Sequence, residues 1–179
     1  MRVIAGRSKG RRLNAPPGDS TRPMQDRVKE ALFSSLGSVV VGAEVLDLYA
    51  GTGSMGLEAL SRGARRAVFV ERNRTAVTFL RKNCEAVGLG GEVVPVDVAR
   101  FFAQRSDLFD LVFVDPPYAD SDAEVGRTMA AVAGRLRPGG LAVLHRKVGS
   151  ALPETESLVL VDERRYGSAQ LWRFQKEST

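Results

Sequence analysis

From Glu44 onward, short apolar runs alternate with segments whose apolar residues recur three and four positions apart, the order expected of β-α-β units on a parallel sheet. Val45-Leu46-Asp47-Leu48-Tyr49 predicts a first strand, and a glycine turn leads into a helix from about Met55 to Ser61, capped by Gly63. Ala67 to Glu71 predicts a second strand, followed by a long helix over Arg74 to Val87 with Val77, Leu80 and Cys84 on one face. Val93 to Asp97 predicts a third strand, and a short helix through Phe101-Phe102 returns to a fourth at Val112 to Val114. A helix from about Ala123 to Leu136 is expected to stop at Arg137-Pro138-Gly139-Gly140, and Leu141 to His145 predicts strand five. Leu158 to Arg164 and Gln170 to Phe174 alternate apolar and polar around Tyr166-Gly167-Ser168, a terminal hairpin after which Lys176 to Thr179 should fray. His145, closing a buried strand, is read as a packed or capping residue.

The first 36 residues follow a different pattern. Arg2 to Ala5 and Arg11 to Ala15 are short extended segments around Gly6-Arg7-Ser8-Lys9-Gly10, a basic hairpin or pair of loops closed by Pro16-Pro17-Gly18. Thr21-Arg22-Pro23 then precedes a helix from about Met24 to Leu36, with Val28, Ala31, Leu32 and Ser35 or Leu36 at helical spacing and Gly37 at its end. The chain therefore divides into a basic extension, residues 1–36, packed on a ligand-binding α/β domain, residues 37–179.

Charge sharpens that division. Residues 1 to 30 hold eight Lys/Arg against three acids, and the remaining residues carry 18 of each sign, so the whole net charge of +5 lies in the N-terminal sixth. A basic arm of this kind is suited to a polyanion, and nucleic acid is the usual one. Arg7, Lys9, Arg11, Arg12, Arg22 and Arg27 are the candidates for contacting it. The bland alternative is a solvated basic tail. At 179 residues, 44% hydrophobic and 26% charged, the chain fits one soluble domain. No run approaches the roughly 20 apolar residues of a membrane span or the core of a signal peptide, and a cytoplasmic protein is expected. One cysteine excludes an internal disulfide, and one histidine leaves too few ligands for the usual zinc site. Chemistry must come from carboxylates, backbone and a bound organic cofactor.

The candidate chemistry lies at the strand ends. Val112-Phe113-Val114-Asp115-Pro116-Pro117-Tyr118 reads as a buried strand stopped by two prolines, which lack the N–H a ladder needs. Asp115, the Pro116 carbonyl and the Tyr118 ring, held at a fixed offset through Pro117, suit a planar group that carries an amino function. Gly51-Thr52-Gly53-Ser54-Met55-Gly56 matches the dinucleotide pattern G-x-G-x-x-G, opening a helix directly after a strand. Asp47, just upstream, would repel a pyrophosphate at that helix N-terminus. A carboxylate in Asp47-Leu48-Tyr49-Ala50-Gly51-Thr52-Gly53 suits instead a ligand with an ammonium and a sulfonium, which is S-adenosylmethionine. Glu71, with Arg72 beside it, is placed to accept both ribose hydroxyls, and Asp97 to accept from an adenine amino group, with Val98 as an apolar wall. Asp47, Glu71, Asp97 and Asp115 thus end four successive strands on the edge where open α/β sheets bind ligands.

These residues resemble class I, Rossmann-like S-adenosylmethionine methyltransferases that methylate amino groups on bases. The leading Arg2-Val3-Ile4-Ala5-Gly6, Gly10-Arg11-Arg12-Leu13 and above all Thr21-Arg22-Pro23-Met24-Gln25-Asp26-Arg27-Val28-Lys29-Glu30-Ala31-Leu32-Phe33 are similar to the bacterial RsmD family, which methylates a guanine N2 in small-subunit (16S) ribosomal RNA. Met24 departs from that pattern, which commonly has threonine there. The resemblance implies a mostly parallel twisted sheet of about seven strands with helices on both faces and the terminal hairpin supplying the antiparallel part. It also implies S-adenosylmethionine as cofactor, no metal, and a monomer acting on 16S ribosomal RNA within an assembled or partly assembled small subunit. Three other readings remain open. A DNA adenine or cytosine amino-methyltransferase would use the same loop but usually needs a separate target-recognition region. An NAD-dependent oxidoreductase fits the glycines and leaves Asp115 to Tyr118 unexplained. A non-catalytic RNA-binding protein leaves the strand-end acids unexplained.

Overall fold

A computed structural model describes residues 1–16 and 26–178 of the chain. Its strands are β1 (Glu44–Leu48), β2 (Arg66–Val70), β3 (Glu92–Val94), β4 (Phe109–Val114), β5 (Leu136–Lys147), β6 (Leu158–Tyr166) and β7 (Ala169–Lys176). They form one sheet in the order β3-β2-β1-β4-β5-β7-β6. The first five run parallel, and β7 pairs antiparallel with both β5 and β6. The helices are α1 (Asp26–Leu36), α2 (Ser54–Ser61), α3 (Arg74–Val87), α4 (Val98–Gln104) and α5 (Asp122–Ala133), with a 3-10 turn over Gly37–Val40.

The continuous apolar runs of β1, β2 and β4 have a simple cause: both sheet faces are covered. Val45, Phe69 and Phe113 enter one core with Phe33, Leu57 and Leu80 from α1, α2 and α3. Their neighbours Leu46, Val68, Val70, Val112 and Val114 point the other way, into a second core with Phe101 of α4, Met129 of α5 and Trp172. Neighbours on opposite sides of β1 are β2 and β4, so the connections diverge there and open a crevice beyond the carboxyl ends of these strands.

The N-terminal hairpin forms through an antiparallel bridge between Arg2 and Arg12. Its Val3 and Leu13 are buried in the first core. It is bolted to α2: the backbone N–H groups of Ile4 and Ala5 donate to Glu58 at 2.7 and 3.1 Å, and that of Ser8 donates to Ser61 Oγ at 2.9 Å. At Gly6, with φ +82°, a Cβ would lie 1.9 Å from the Ser61 carbonyl oxygen, so only glycine permits this approach. Beneath, the fully buried Lys29 ammonium donates to the Arg2 carbonyl at 2.7 Å and lies 3.6 Å from Glu58. Burial lowers the Lys29 pKa.

Several boundaries differ from expectation. Helix α5 stops at Ala133, and Arg137-Pro138-Gly139-Gly140 lies inside β5, where the register jumps from Phe109↔Leu136 to Leu111↔Leu141. Proline and paired glycines make a poor ladder, and the strand accommodates them as a bulge. β3 ends at Val94, so Asp97 caps the next helix and does not end a strand. Lys176 belongs to β7 and donates to the Leu136 carbonyl at 3.0 Å. The expected helix start at Met24 lies outside the described residues. No helix among the described residues is long and apolar enough to cross a membrane.

Candidate functional site

The glycine loop turns sharply out of β1. Tyr49 takes φ +58°, a left-handed conformation that costs a non-glycine residue about 1 to 3 kcal/mol. Its hydroxyl is anchored 3.1 Å from Thr128 Oγ1 on α5. Ala50 donates to the Val70 carbonyl at 3.0 Å, stitching the loop to β2, and Gly53 donates to the Ala50 carbonyl at 2.8 Å. Gly53 has φ +87°, and a Cβ there would come within 2.4 Å of Leu80 Cδ1, so this glycine brings the loop against α3.

Only Glu71 and Asp115 follow directly on their strands, β2 and β4; Asp47 lies inside β1, one residue before its end, and Asp97 caps α4, but each of the four already holds backbone or side chain in place. Asp47 is 2% exposed, and its Oδ2 accepts the Gly56 N–H at 2.8 Å. Burial outweighs that bond and pushes its pKa up to about 8, with the charges of Asp115 and Glu71 adding to the rise. Burial thus favours the protonated form of Asp47, where a carboxylate is expected from sequence alone. Glu71 accepts from Gly51 N–H at 2.9 Å through one oxygen and from Asn73 N–H at 2.7 Å through the other. Each oxygen keeps a second lone pair, so a ribose diol can still be accepted. Asp97 Oδ1 accepts the Arg100 N–H at 2.8 Å, the N-cap of α4. Asp115 Oδ1 lies 2.8 Å from His145 Nδ1.

Asp47, Tyr49, Ala50, Gly51, Thr52, Glu71, Arg72, Asp97, Val98, Asp115, Pro116, Pro117 and Tyr118 line one cavity of about 1290 Å³. Gly53 is not among its lining residues; its role is to pack the loop. A cavity of this size holds an extended nucleoside and a second planar group together. Phe102, Arg127 and Thr128 also line it, as do Met1 and Pro16 of the N-terminal extension. None of these stands out in the sequence, because each reaches the cavity by long-range packing. Arg7, Lys9, Arg11 and Arg12 lie elsewhere, around a shallow depression with Ser8, Gly10 and Ala86. Arg27 is exposed on α1, while Arg22 lies outside the described residues. Cys84 is half-buried on α3, and burial raises its thiol to about 11, which keeps it inert.

His145 and Arg146 are the polar residues near the site that sequence reading undervalues. Both are 4% exposed. The Arg146 guanidinium donates to the Pro117 and Asp120 carbonyls at 3.1 and 2.8 Å, and the Tyr118 ring meets the His145 ring edge to face, 6.2 Å between centroids. Register gives the signal: Val114 pairs with Leu144, so the residues that follow each must lie side by side.

Comparison with known proteins places this geometry among relatives. The family model described as "Conserved hypothetical protein 95" matches residues 1–175. A Bacillus subtilis (strain 168) protein named "Putative rRNA methyltransferase YlbH" is 37% identical over 173 residues, covering 93% of this chain and 94% of that protein. "Ribosomal RNA small subunit methyltransferase D" of Escherichia coli (strain K12) is 37% identical over 154 residues, covering 86% of this chain and 78% of its own length. The solved structure titled "Putative methyltransferase yhhF from Escherichia coli" superposes with a TM-score of 0.89 at 34% identity, over 100% of this chain and 99% of that one.

Proposed function

We propose, from the premise that this chain belongs to the conserved hypothetical protein 95 (RsmD) family, that it transfers a methyl group from S-adenosylmethionine to the exocyclic N2 amino group of a guanine in small-subunit ribosomal RNA. At the coarser level the chain is an S-adenosylmethionine-dependent ribosomal RNA methyltransferase with the Rossmann-like class I fold. One observation supports transfer to an amino group: the Asp115–Tyr118 loop and the glycine loop line the same cavity, so an amine held by the first meets a ligand held by the second; guanine N2 is the target that the family resemblance implies.

S-adenosylmethionine supplies an electrophilic methyl group on its sulfonium. Glu71 would accept its ribose hydroxyls, Asp97 its adenine amino group with Val98 against the ring, and Asp47 would face its ammonium. An exocyclic amino nitrogen is a poor nucleophile because its lone pair is spread into the ring. Asp115 and the Pro116 carbonyl each accept one N–H, which draws the nitrogen toward a tetrahedral shape with its lone pair free for attack. Tyr118, 48% exposed at the cavity mouth, stacks on the base. Most of the rate then comes from positioning and preorganised electrostatics. A guanine within a helix must be flipped out to reach this pocket. The N-terminal hairpin, fastened to α2 through Ile4, Ala5 and Ser8, presents Arg7, Lys9, Arg11 and Arg12 to the RNA backbone, and Arg22 and Arg27 are further candidates for that contact.

The test is transfer of labelled methyl groups to purified small-subunit particles, naked ribosomal RNA and duplex DNA. Label entering guanine of small-subunit RNA is expected. Label entering DNA instead would favour the DNA amino-methyltransferase reading, and a thermal shift with NAD but none with S-adenosylhomocysteine would overturn methyl transfer altogether.

A further inference from the structure

Two prolines stop β4 at Val114, but β5 continues for three residues beyond its partner Leu144, through His145, Arg146 and Lys147. On its other side that extension stays paired with Leu171, Gln170 and Ala169 of β7, so it is a rigid edge. The segment Asp115 to Asp120 occupies the side that β4 has vacated, and both buried residues of the extension grip it. His145 Nδ1 meets Asp115 Oδ1 at 2.8 Å. Arg146 donates to the carbonyls of Pro117 at 3.1 Å and Asp120 at 2.8 Å, and lies 3.6 Å from the Asp122 carboxylate.

We propose that His145 and Arg146 are positioning residues that clamp the Asp115–Asp120 segment, fixing Asp115 through one oxygen so that it presents the other, Oδ2, to the target amine. The inference rests on the reading of that segment as the amine site. A carboxylate that rotates freely offers two equivalent oxygens and a spread of directions; one tied at Oδ1 offers a single acceptor along a single direction, which is what a nitrogen with two N–H groups shared between Asp115 and the Pro116 carbonyl requires. The tautomer follows from the same hydrogen bond. Asp115 is an acceptor, so His145 carries its proton on Nδ1. Its Nε2 is buried with no hydrogen-bond partner among the described residues, which an unpaired acceptor tolerates better than a second, charged N–H donor would. The imidazole thus serves as a hydrogen-bond donor through Nδ1. The guanidinium does the same for the backbone: with the Pro117 and Asp120 carbonyls both held, the backbone that carries Tyr118 is fixed at the cavity.

His145 is the single histidine of the chain, so a long-range proton–nitrogen spectrum of the free protein contains one imidazole. The clamp predicts the Nδ1–H tautomer at neutral pH, and Asp115→Ala should shift it toward Nε2–H, the form preferred in water. An Nε2–H imidazole in the wild-type protein would overturn the clamp, and this readout needs no turnover. Kinetics supply the second arm. His145→Leu is expected to lower kcat by about tenfold to a hundredfold, the scale of a misplaced catalytic group, with KM for RNA and affinity for S-adenosylhomocysteine unchanged. His145→Asn, whose amide N–H sits where Nδ1–H was, should recover kcat to within about threefold of wild type. Arg146→Met should lower kcat similarly without changing the imidazole tautomer. A His145→Leu protein with wild-type kcat, or an equal loss in the leucine and asparagine variants, would make the His145–Asp115 bond architectural and refute the inference. A wild-type protein that methylates no RNA would count against the proposed function instead, while leaving the spectrum to decide the clamp.

Discussion

Replacing Asp47 by asparagine separates what this residue does for the fold from what it does for the ligand. Asp47 is 2% exposed, and burial raises its pKa from 3.8 to about 8. The folded state therefore keeps a proton that the unfolded chain releases above pH 3.8, and stability contributed by this group falls as pH rises from about 4 to about 8, then levels off. Each unit is worth about 1.4 kcal/mol, so at pH 7 retaining that proton costs the wild-type protein roughly 4 kcal/mol. Asparagine keeps the shape and an oxygen for the Gly56 N–H, removes the ionisation, and adds an amide NH2 whose burial without a partner costs about 1 to 3 kcal/mol. The variant is expected to be more stable than wild type by roughly 1 to 3 kcal/mol near pH 7, with that advantage disappearing, or reversing, toward pH 4. Urea unfolding of both proteins from pH 5 to pH 8 measures the difference directly, because titrating groups remote from Asp47 cancel between them. A difference independent of pH, or one that increasingly favours wild type toward pH 8, would refute the reasoning. The same substitution should weaken S-adenosylhomocysteine binding. In the wild-type protein that binding should release close to one proton at pH 7, because a ligand ammonium favours the ionised carboxylate; calorimetry in buffers of different ionisation enthalpy counts it.

Glu71→Ala should weaken S-adenosylhomocysteine binding by roughly 1 to 3 kcal/mol by equilibrium titration, through loss of the hydrogen bonds to the ribose and through release of the Gly51 N–H it now holds. Glu58→Ala removes the acceptor for Ile4, Ala5 and Arg62 and leaves Lys29 a buried unpaired cation; a loss of roughly 3 to 5 kcal/mol in denaturant unfolding is expected, with cleavage by protease appearing first in the N-terminal hairpin. Charge reversal of Arg7, Lys9, Arg11 and Arg12 together should leave S-adenosylhomocysteine binding intact and weaken RNA binding, with the slope of log K against log salt reduced by roughly 0.7 to 0.9 for each phosphate no longer neutralised. Replacing Arg22 and Arg27 should impair both activities, whereas unchanged affinity and salt dependence in the hairpin variant would reduce the arm to a solvated tail.

The parallel core is legible in the sequence because burial on both faces leaves a simple trace, runs such as Val112-Phe113-Val114 with a polar residue at the end. The glycine loop, Glu71 and Asp115 are legible for the same reason, polar or glycine residues directly beyond strand ends interrupting an apolar pattern, and Asp47 because it is the one charged residue within the apolar part of β1. Pro138-Gly139-Gly140 misleads because local chemistry says stop, while pairing of β5 with β4 and β7 carries the strand through a bulge. Asp97 belongs to the helix cap and not to the strand before it, since the pairing of β3 is already over at Val94. The raised pKa of Asp47 and the grip of His145 on Asp115 leave no local pattern, because the first depends on how completely the loop and α2 exclude water and the second on register between two strands far apart in the chain.

The central claim, that Asp115 holds a guanine amino group for methyl transfer, is tested most directly by nucleoside mass spectrometry of small-subunit ribosomal RNA after reaction with wild-type protein or Asp115→Ala. Wild type should yield N2-methylguanosine as the new modified nucleoside, and Asp115→Ala should cut its formation at least about a hundredfold, as for removal of one preorganised electrostatic interaction, with S-adenosylhomocysteine affinity nearly unchanged. Near-normal methylation by Asp115→Ala, or a methyl group found on another atom or another base, would contradict the account.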